Sequence, residues 1–521
     1  MTDCEASARR LIARRVQERD CQLLEELLKH SKLPAYSSES PSSFKLSLSV
    51  DSDDAEERKE FTLTKSNSMA SKLPVFQQLD DGSQRLIHFS TLKHTTFYQD
   101  VENGASISLT SFDGEDYSMR GSFLGKDTIY DVEPYHSNIH KRSLGANQGD
   151  HVVKKREAKE GEEGKENVMD YIISPEDAEQ FRQFEASEEQ MSGHTSERVG
   201  VHYTIEMYLA IDYYAYANLQ QSKDAISYPG SYVEFAVYVL GHQMNEVDLR
   251  YRNIQTADWT MSTLLIGVNV AMIESDSIWT APIQRGRSVI APHALNRFDT
   301  WIENNSQIRS DIFLLVTGLD LLGPRGSGAV GLANFGTACR CDRSSIIEYR
   351  PSSNVYAHEI GHNLGARHDG THPETASCPK EEQNVMTPSG SPTTAFTRGH
   401  NWFFSQCSID AFDSYINILD TLGQNCLKDP GMVDPRWPGF DPTPIGRTLT
   451  LSEQCVLFYG PGYAFLDSVG EQICQSLVCR SAQTGAIQDR SSAFAYTTCG
   501  VDKIVMDPTR GELVNVVKAL V

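Results

Sequence analysis

The chain has 521 residues, room for roughly two to four domains, because single hydrophobic cores seldom exceed about 250 residues. Its 70 acidic against 47 basic residues leave a net charge of −23, which weighs against the basic face that nucleic-acid phosphates require. Apolar residues make up 39% of the chain, but they never gather into the run of about eighteen that crosses a bilayer.

The first stretch, MTDCEASARRLIARRVQERDC, has no apolar run of signal-peptide length. Leu11, Ile12, Val16, Leu23, Leu24 and Leu27 fall near helical spacing and predict a short amphipathic helix within residues 1–30. From Ser37 to Ser71 the serine-rich, mixed-charge composition offers little to bury. Alternating patterns follow in ISLTSF (Ile107–Phe112) and in GSFLGKDTIYDVEP (Gly121–Pro134), the latter reading as two strands joined by a glycine-containing turn. Residues 1–156 are therefore expected to hold a β-rich region, ordered from about 85 to 136. Lys141-Arg142 and Lys154-Lys155-Arg156 read either as multibasic sites open to a processing protease or as a solvated charge run. Residues 157–198, rich in Glu, Gly and Ser, read as an acidic linker.

From about Val199 strands alternate with helices. TIEMYLAID (Thr204–Asp212), Leu264–Met272 and DIFLLVT (Asp311–Thr317) read as strands, and Ser231–Asn253 and Pro292–Asn305 as helices. Val233, Val237, Leu240, Met244 and Val247 mark the buried face of the first helix. The order implies an α/β unit over residues 199–429 with a mostly parallel sheet. GLANF (Gly331–Phe335) would be its edge strand, and Gly331, Leu332 and Ala333 could take an extended peptide by strand addition.

The chemistry concentrates in HEIGHNLGARHD, residues 358–369. His358 and His362, four apart, stand on one helix face, and Glu359 lies beside that face. Gly365 lets the chain leave helical geometry so that His368 can return as a third ligand. Three imidazoles with one open position describe a catalytic zinc site, whereas structural zinc sites are closed by four protein ligands. The zinc-bound water would be activated by Glu359 as general base.

This string, with a methionine in NVMTPS (Asn384–Ser389), resembles the metzincin pattern, and Asp369 after the third histidine resembles its reprolysin (adamalysin) branch. The resemblance implies a zincin-like three-layer catalytic domain with a twisted sheet, and a zinc metalloendopeptidase acting on extracellular or matrix proteins. It makes Met386 the methionine turn, and Thr387 and Pro388 part of the substrate pocket. It pairs Cys339 with Cys426 and Cys378 with Cys407, leaving Cys341 without a partner. It also implies a structural calcium held by Glu206, Asp311, the Cys426 carbonyl and Asp429. SQCSIDAF (Ser405–Phe412) resembles the start of the family's carboxyl-terminal helix. The β-rich region resembles the end of the family's propeptide, which often silences zinc with a cysteine. No cysteine lies between 22 and 338 here, so latency would need bulk or another ligand.

Eleven cysteines fall as Cys4, Cys21 and then nine from Cys339 to Cys499, a cluster expected of disulfides in an oxidising compartment. A secreted protein whose start is truncated or mispredicted reconciles this with the missing leader and is the favoured reading; a cytosolic protein with reduced thiols is the alternative. After a proline-rich linker (430–445), residues 446–505 resemble the short cysteine-rich module of ADAMTS proteins, ahead of a tail at 506–521. Cys455, Cys474, Cys479 and Cys499 permit three pairings there. Matrix contacts through this module are implied by the resemblance. The competing function is a catalytically silent or latent secreted binding protein that uses the same module.

Overall fold

The computed structural model describes most of residues 41–134, then 151–156 and 170–173, most of 200–428 and much of 449–504. The expected helix in residues 1–30, Lys141-Arg142, Asp429, Cys474, the proline-rich linker and the tail lie outside the described residues.

Strands begin much earlier than about residue 85. β1 (Ser43–Asp51) and β2 (Glu56–Lys65) pair antiparallel in a segment whose composition suggested nothing to bury. The cause is periodicity: Phe44, Leu46 and Leu48 on β1, and Phe61 and Leu63 on β2, occupy alternate positions and share one hydrophobic cluster. β3 (Val75–Gln78) and β4 (Gln84–His88) form a hairpin that leaves this sheet. β5 (Thr95–Asp100), β6 (Ala105–Thr110), β7 (Ser118–Leu124), β8 (Ile129–Pro134) and β9 (His151–Lys155) complete it in the order β1-β2-β5-β6-β7-β8-β9. The paired strands β7 and β8 are the two expected between Gly121 and Pro134. Lys154-Lys155-Arg156 is no open processing site, because Lys154 and Lys155 lie in β9 and Arg156 is held through its guanidinium by Asp131 and Ser122.

The second sheet runs β10-β17-β18-β14-β11-β12-β3-β4. Its members are β10 (Tyr171–Ile172), β11 (Val201–Ile211), β12 (Trp259–Val270), β14 (Ile312–Thr317), β17 (Gly331–Asn334) and β18 (Ser344–Glu348), joined by the hairpin β3–β4. β3, β12, β11, β14 and β18 are parallel neighbours, while β17 runs antiparallel to β18. A smaller sheet joins β13 (Ser288–Ile290), β15 (Asp320–Leu322) and β16 (Gly328–Ala329).

β11 explains how one strand serves two cores. Ile205, Met207, Leu209 and Ile211 face a cluster with Leu240, Met244, Ile360 and Tyr415, while Tyr208 and Ala210 face one with Phe298, Trp301 and Leu315. A strand buried on both faces reads as a continuous apolar run. Helices α2 (Tyr232–Arg252), α4 (Asn354–Asn363) and α5 (Gln406–Thr421) supply the first cluster, and α3 (Ala291–Asn304) the second; α1 (Tyr213–Gln220) follows β11. A capping box starts α2: the Glu234 amide donates to Ser231 Oγ at 3.2 Å and the Ser231 amide donates to Glu234 Oε2 at 2.6 Å.

The opposite face of α2 is polar, yet it too is buried. Asn245, Glu246, Asp248 and Arg250 lie under the amino-terminal strands. Ser68 Oγ donates to Asn245 Oδ1 at 2.9 Å, Gln99 Nε2 to the Asn245 carbonyl at 2.8 Å, and Ser122 to Glu246.

The expected boundaries at 156 and 199 do not separate the chain in space. Residues before 199 place β3 and β4 at one edge of the α/β sheet and β10 at the other. At the carboxyl end α6 (Leu451–Tyr459) packs with β19 (Tyr463–Phe465), β20 (Leu477–Ser481) and β21 (Ile487–Ser491) around the Cys455–Cys479 disulfide.

Candidate active site

Helix α4 carries the first two histidines and stops just beyond them. Gly365 takes φ +83°, its amide donates to the His362 carbonyl at 2.9 Å, and the chain turns back to deliver His368. The Nε2 atom of His358 then lies 3.1 Å from Nε2 of His362 and 3.1 Å from Nε2 of His368. The structure thus brings together the three expected ligands.

Each of the two helical rings is oriented by its other nitrogen. Nδ1 of His358 is 2.7 Å from the Val385 carbonyl, and Nδ1 of His362 is 2.7 Å from the Ala366 carbonyl. A carbonyl accepts, so in the neutral rings Nδ1 carries the proton and Nε2 presents a lone pair. Two such lone pairs cannot bond one another at 3.1 Å, but one cation satisfies both. Zinc–ligand bonds of about 2.0–2.1 Å at tetrahedral angles set ligand atoms about 3.3 Å apart. The donor set therefore fits zinc. Burial, which Asp170 only partly offsets, pushes His362 down to about 4 and keeps it neutral. Burial acts on His358 in the same direction, but there the Asp170 carboxylate prevails and draws the pKa up.

Val385 and Met386 belong to the expected methionine turn. Met386 is wholly buried beneath α4, and a β-carbon on Gly361 would lie 2.5 Å from its sulfur. The Asp369 amide donates to the Met386 carbonyl at 3.0 Å, and Asp369 Oδ1 accepts from Ser405 Oγ at 2.6 Å, where α5 begins. Asp369 therefore ties His368, the Val385–Met386 segment and α5 into one unit. Thr387 is half-buried and Pro388 buried just past that turn.

Glu359 is fully buried, and among the described residues neither carboxylate oxygen has a hydrogen-bond partner. Burial, with Asp170 nearby, drives its pKa well above the usual carboxylate range. A buried acid left without partners is costly and is the kind of group that exchanges protons with whatever enters the site. Its position depends on Gly331 of β17, where a β-carbon would stand 2.0 Å from Glu359 Oε1.

The edge strand is not open. β10 pairs with β17 in parallel, Tyr171 opposite Ala333 and Ile172 opposite Asn334. The Ala333 amide donates to the Asp170 carbonyl at 3.0 Å and the Phe335 amide to the Ile172 carbonyl at 2.8 Å. Leu332 and Ala333 are buried. Part of the acidic segment 157–198 thus occupies the edge that was expected to take an extended peptide. Asp170 lies at the mouth of the histidine cluster, 2.8 Å from His368 Nε2, 3.2 Å from His362 Nε2 and 3.5 Å from His358 Nε2. Sequence reasoning missed this residue. The only signal was an aromatic–aliphatic island, Tyr171-Ile172-Ile173, inside an otherwise polar stretch.

Disulfides join Cys339 to Cys426 and Cys378 to Cys407, as the resemblance implied, and Cys455 to Cys479. Cys341 is exposed and unbridged. Of the residues expected to hold calcium, Glu206 and Asp311 are adjacent. Glu206 donates its amide to Asp311 Oδ2 at 2.8 Å and accepts the Asp311 amide at 2.9 Å. Burial pushes Asp311 up to about 7. Asp311 also lies beside the Cys339–Cys426 bridge.

Residues 201–400 match the family model described as metallo-peptidase family M12, and residues 445–508 match that of ADAMTS cysteine-rich domain 2. A Bombyx mori protein named "A disintegrin and metalloproteinase with thrombospondin motifs like" is 26% identical over 383 residues, 68% of this chain and 50% of that protein. The Mus musculus "A disintegrin and metalloproteinase with thrombospondin motifs 16" is 24% identical over 472 residues, 84% of this chain and 37% of that protein. The chain thus spans half or less of the length of these two relatives. Among solved structures, an archaemetzincin from Methanopyrus kandleri shares 15% identity over 40% of this chain and 95% of its own, with a TM-score of 0.24.

Proposed function

We propose that this chain is a zinc endopeptidase acting on extracellular proteins, because residues 201–400 match the metallo-peptidase family M12 model and residues 445–508 that of ADAMTS cysteine-rich domain 2. The single observation that carries the reading is the convergence of three imidazole nitrogens, oriented by carbonyls, beside a buried and unpartnered Glu359.

His358, His362 and His368 hold the ion, which when bound supplies Lewis acidity to a water molecule and to the scissile carbonyl. Glu359, buried beside the histidines with no hydrogen-bond partner among the described residues, takes the proton of the attacking water and returns it to the leaving amine. Gly331, Leu332 and Ala333 hold the substrate backbone extended once β10 has left, and Thr387 and Pro388 line the pocket beyond the cut. Met386 and Asp369 keep the ligands in register. Glu206, Asp311, the Cys426 carbonyl and Asp429 form a structural calcium site.

Residues 1–156 act as a propeptide. Its contact with α2 includes hydrogen bonds from Ser68, Gln99 and Ser122, while Leu73, Val75 and Ile87 join the apolar cluster beneath the α/β sheet. Secretion is supported by the three disulfides. Among the described residues no helix is long and apolar enough to cross a membrane.

The test uses processed protein, a denatured protein substrate and metal analysis. The expected result is about one zinc per chain, hydrolysis lost on chelation and regained with zinc, and Glu359→Ala retaining the metal while turnover falls by several orders of magnitude. A Glu359→Ala protein with near-normal turnover would remove the general base from this scheme.

A further inference from the structure

We propose that Asp170 is the fourth metal ligand of the unprocessed chain, and that the strand Tyr171–Ile172 holds it there as a latch across the active site. This rests on the reading of the three histidines as a zinc site.

The first support is geometric. One oxygen each from Asp170 and one nitrogen each from His358, His362 and His368 all lie within 4.8 Å of one another. The individual separations, 2.8 to 3.5 Å, bracket the spacing of about 3.3 Å that a tetrahedral zinc imposes. Carboxylate oxygen is an ordinary zinc ligand, bound at about 2.0–2.2 Å. It would close the position that a catalytic site keeps open for water or substrate.

The second support is burial. Asp170 is only 3% exposed, and the side-chain groups it meets are the three imidazoles. A carboxylate withdrawn from water to that degree needs a positive partner at close range. A divalent ion held by the same three rings supplies one.

The third support is how the residue is fixed. Its own carbonyl and that of Ile172 take the Ala333 and Phe335 amides of the edge strand. Tyr171 lies over the site, its ring 4.7 Å from that of His362 and 5.8 Å from that of His368, and its hydroxyl is 2.9 Å from His372 Nε2. Ligand position and peptide edge are thus blocked by consecutive residues. A strand of two residues has few hydrogen bonds, so once the backbone is cut it leaves easily. Sequence composition fits the same device, since no cysteine between 22 and 338 is available for the task.

The experiment uses the full unprocessed chain with cobalt(II) in place of zinc. In Asp170→Cys a thiolate-to-cobalt charge-transfer band should appear that is absent from the wild type, whose exposed Cys341 serves as the internal control. In Asp170→Ala the ligand-field spectrum should change, and acetohydroxamate should shift it at concentrations at least tenfold lower than for the wild type. Unprocessed Asp170→Ala should also cleave a peptide at least tenfold faster than unprocessed wild type. If all proteins bind one cobalt but residue 170 leaves the spectrum and the acetohydroxamate response unchanged, the proposal is overturned and the zinc-site reading stands. If the wild type binds no cobalt, both fall.

Discussion

At the scale of single residues, the site depends as much on what is missing as on what is present. Gly331 has no side chain, and that lets the Glu359 carboxylate rest against the edge strand. In Gly331→Ala the new β-carbon would stand 2.0 Å from Oε1, and it lies on strand backbone that cannot retreat, so Glu359 must move. A displacement of about 1 Å at a reacting group costs about 100-fold in rate. The expected outcome is therefore a fall in kcat of about that size with zinc content unchanged, read by steady-state kinetics beside metal analysis; loss of zinc would place the damage at the ligands instead. His358, Glu359 and His362 were legible in the sequence because helix geometry fixes their relation within five residues, and His368 because Gly365 allows the turn that returns it. Gly331 was legible only as an edge residue, since its closeness to Glu359 is a tertiary contact.

At the scale of elements, α3 is joined to the edge of the sheet through one acid. Asp299 accepts from Asn334 Nδ2 of β17 at 3.1 Å and from the Ser344 hydroxyl of β18. Burial pushes its pKa up from 3.8 to about 7, against those hydrogen bonds. Folding therefore favours the protonated form. The stability this group contributes is fully present below about pH 4 and is lost as pH rises through about 7. With Asp299 not wholly enclosed, the change is about 1–2 kcal/mol. Thermal unfolding should show wild-type Tm falling between pH 5 and pH 8 more than that of Asp299→Asn; parallel profiles for the two proteins would refute the assignment. Helix α2 teaches a related lesson. Its apolar positions predicted the face turned to the sheet, but its polar positions read as solvent-facing and are instead covered by strands from more than a hundred residues earlier.

At the scale of the whole molecule, that polar cover is one of two places where the amino-terminal region is tied to the α/β domain, the other being the hairpin β3–β4 at the sheet edge. Glu246 is nearly inaccessible and meets the side chains of Ser122, Ser353 and His242, with Arg156 Nη2 at 3.6 Å and Arg250 Nη1 at 3.9 Å. Despite burial, Arg156, His242 and Arg250 draw its pKa well below the usual carboxylate range. Glu246→Ala would leave the fully buried Arg250 without its counter-charge, while Arg156 keeps Asp131. Removing one member of a buried ion pair costs about 3–5 kcal/mol. Denaturant unfolding of the full chain should show a loss of that order, with Glu246→Gln intermediate because the amide keeps the hydrogen-bonding shape. A loss below about 1 kcal/mol would mean that this network is not what joins the two regions.

The sequence alone determined which three histidines and which methionine are the candidates for the metal site and its turn, two disulfides through resemblance, and the alternation of strands and helices after residue 199. Those features are local, or belong to a pattern whose parts lie close together in the chain. Only the tertiary structure decided what stands in front of the histidines, which residues before 199 complete the two edges of the sheet, and what covers the polar face of α2. Backbone pairing in a strand is indifferent to side-chain identity, so the two residues of β10 carry almost no signal of their partner. A lone aspartate among many acids becomes a candidate ligand only when folding brings it across nearly two hundred residues to three imidazoles.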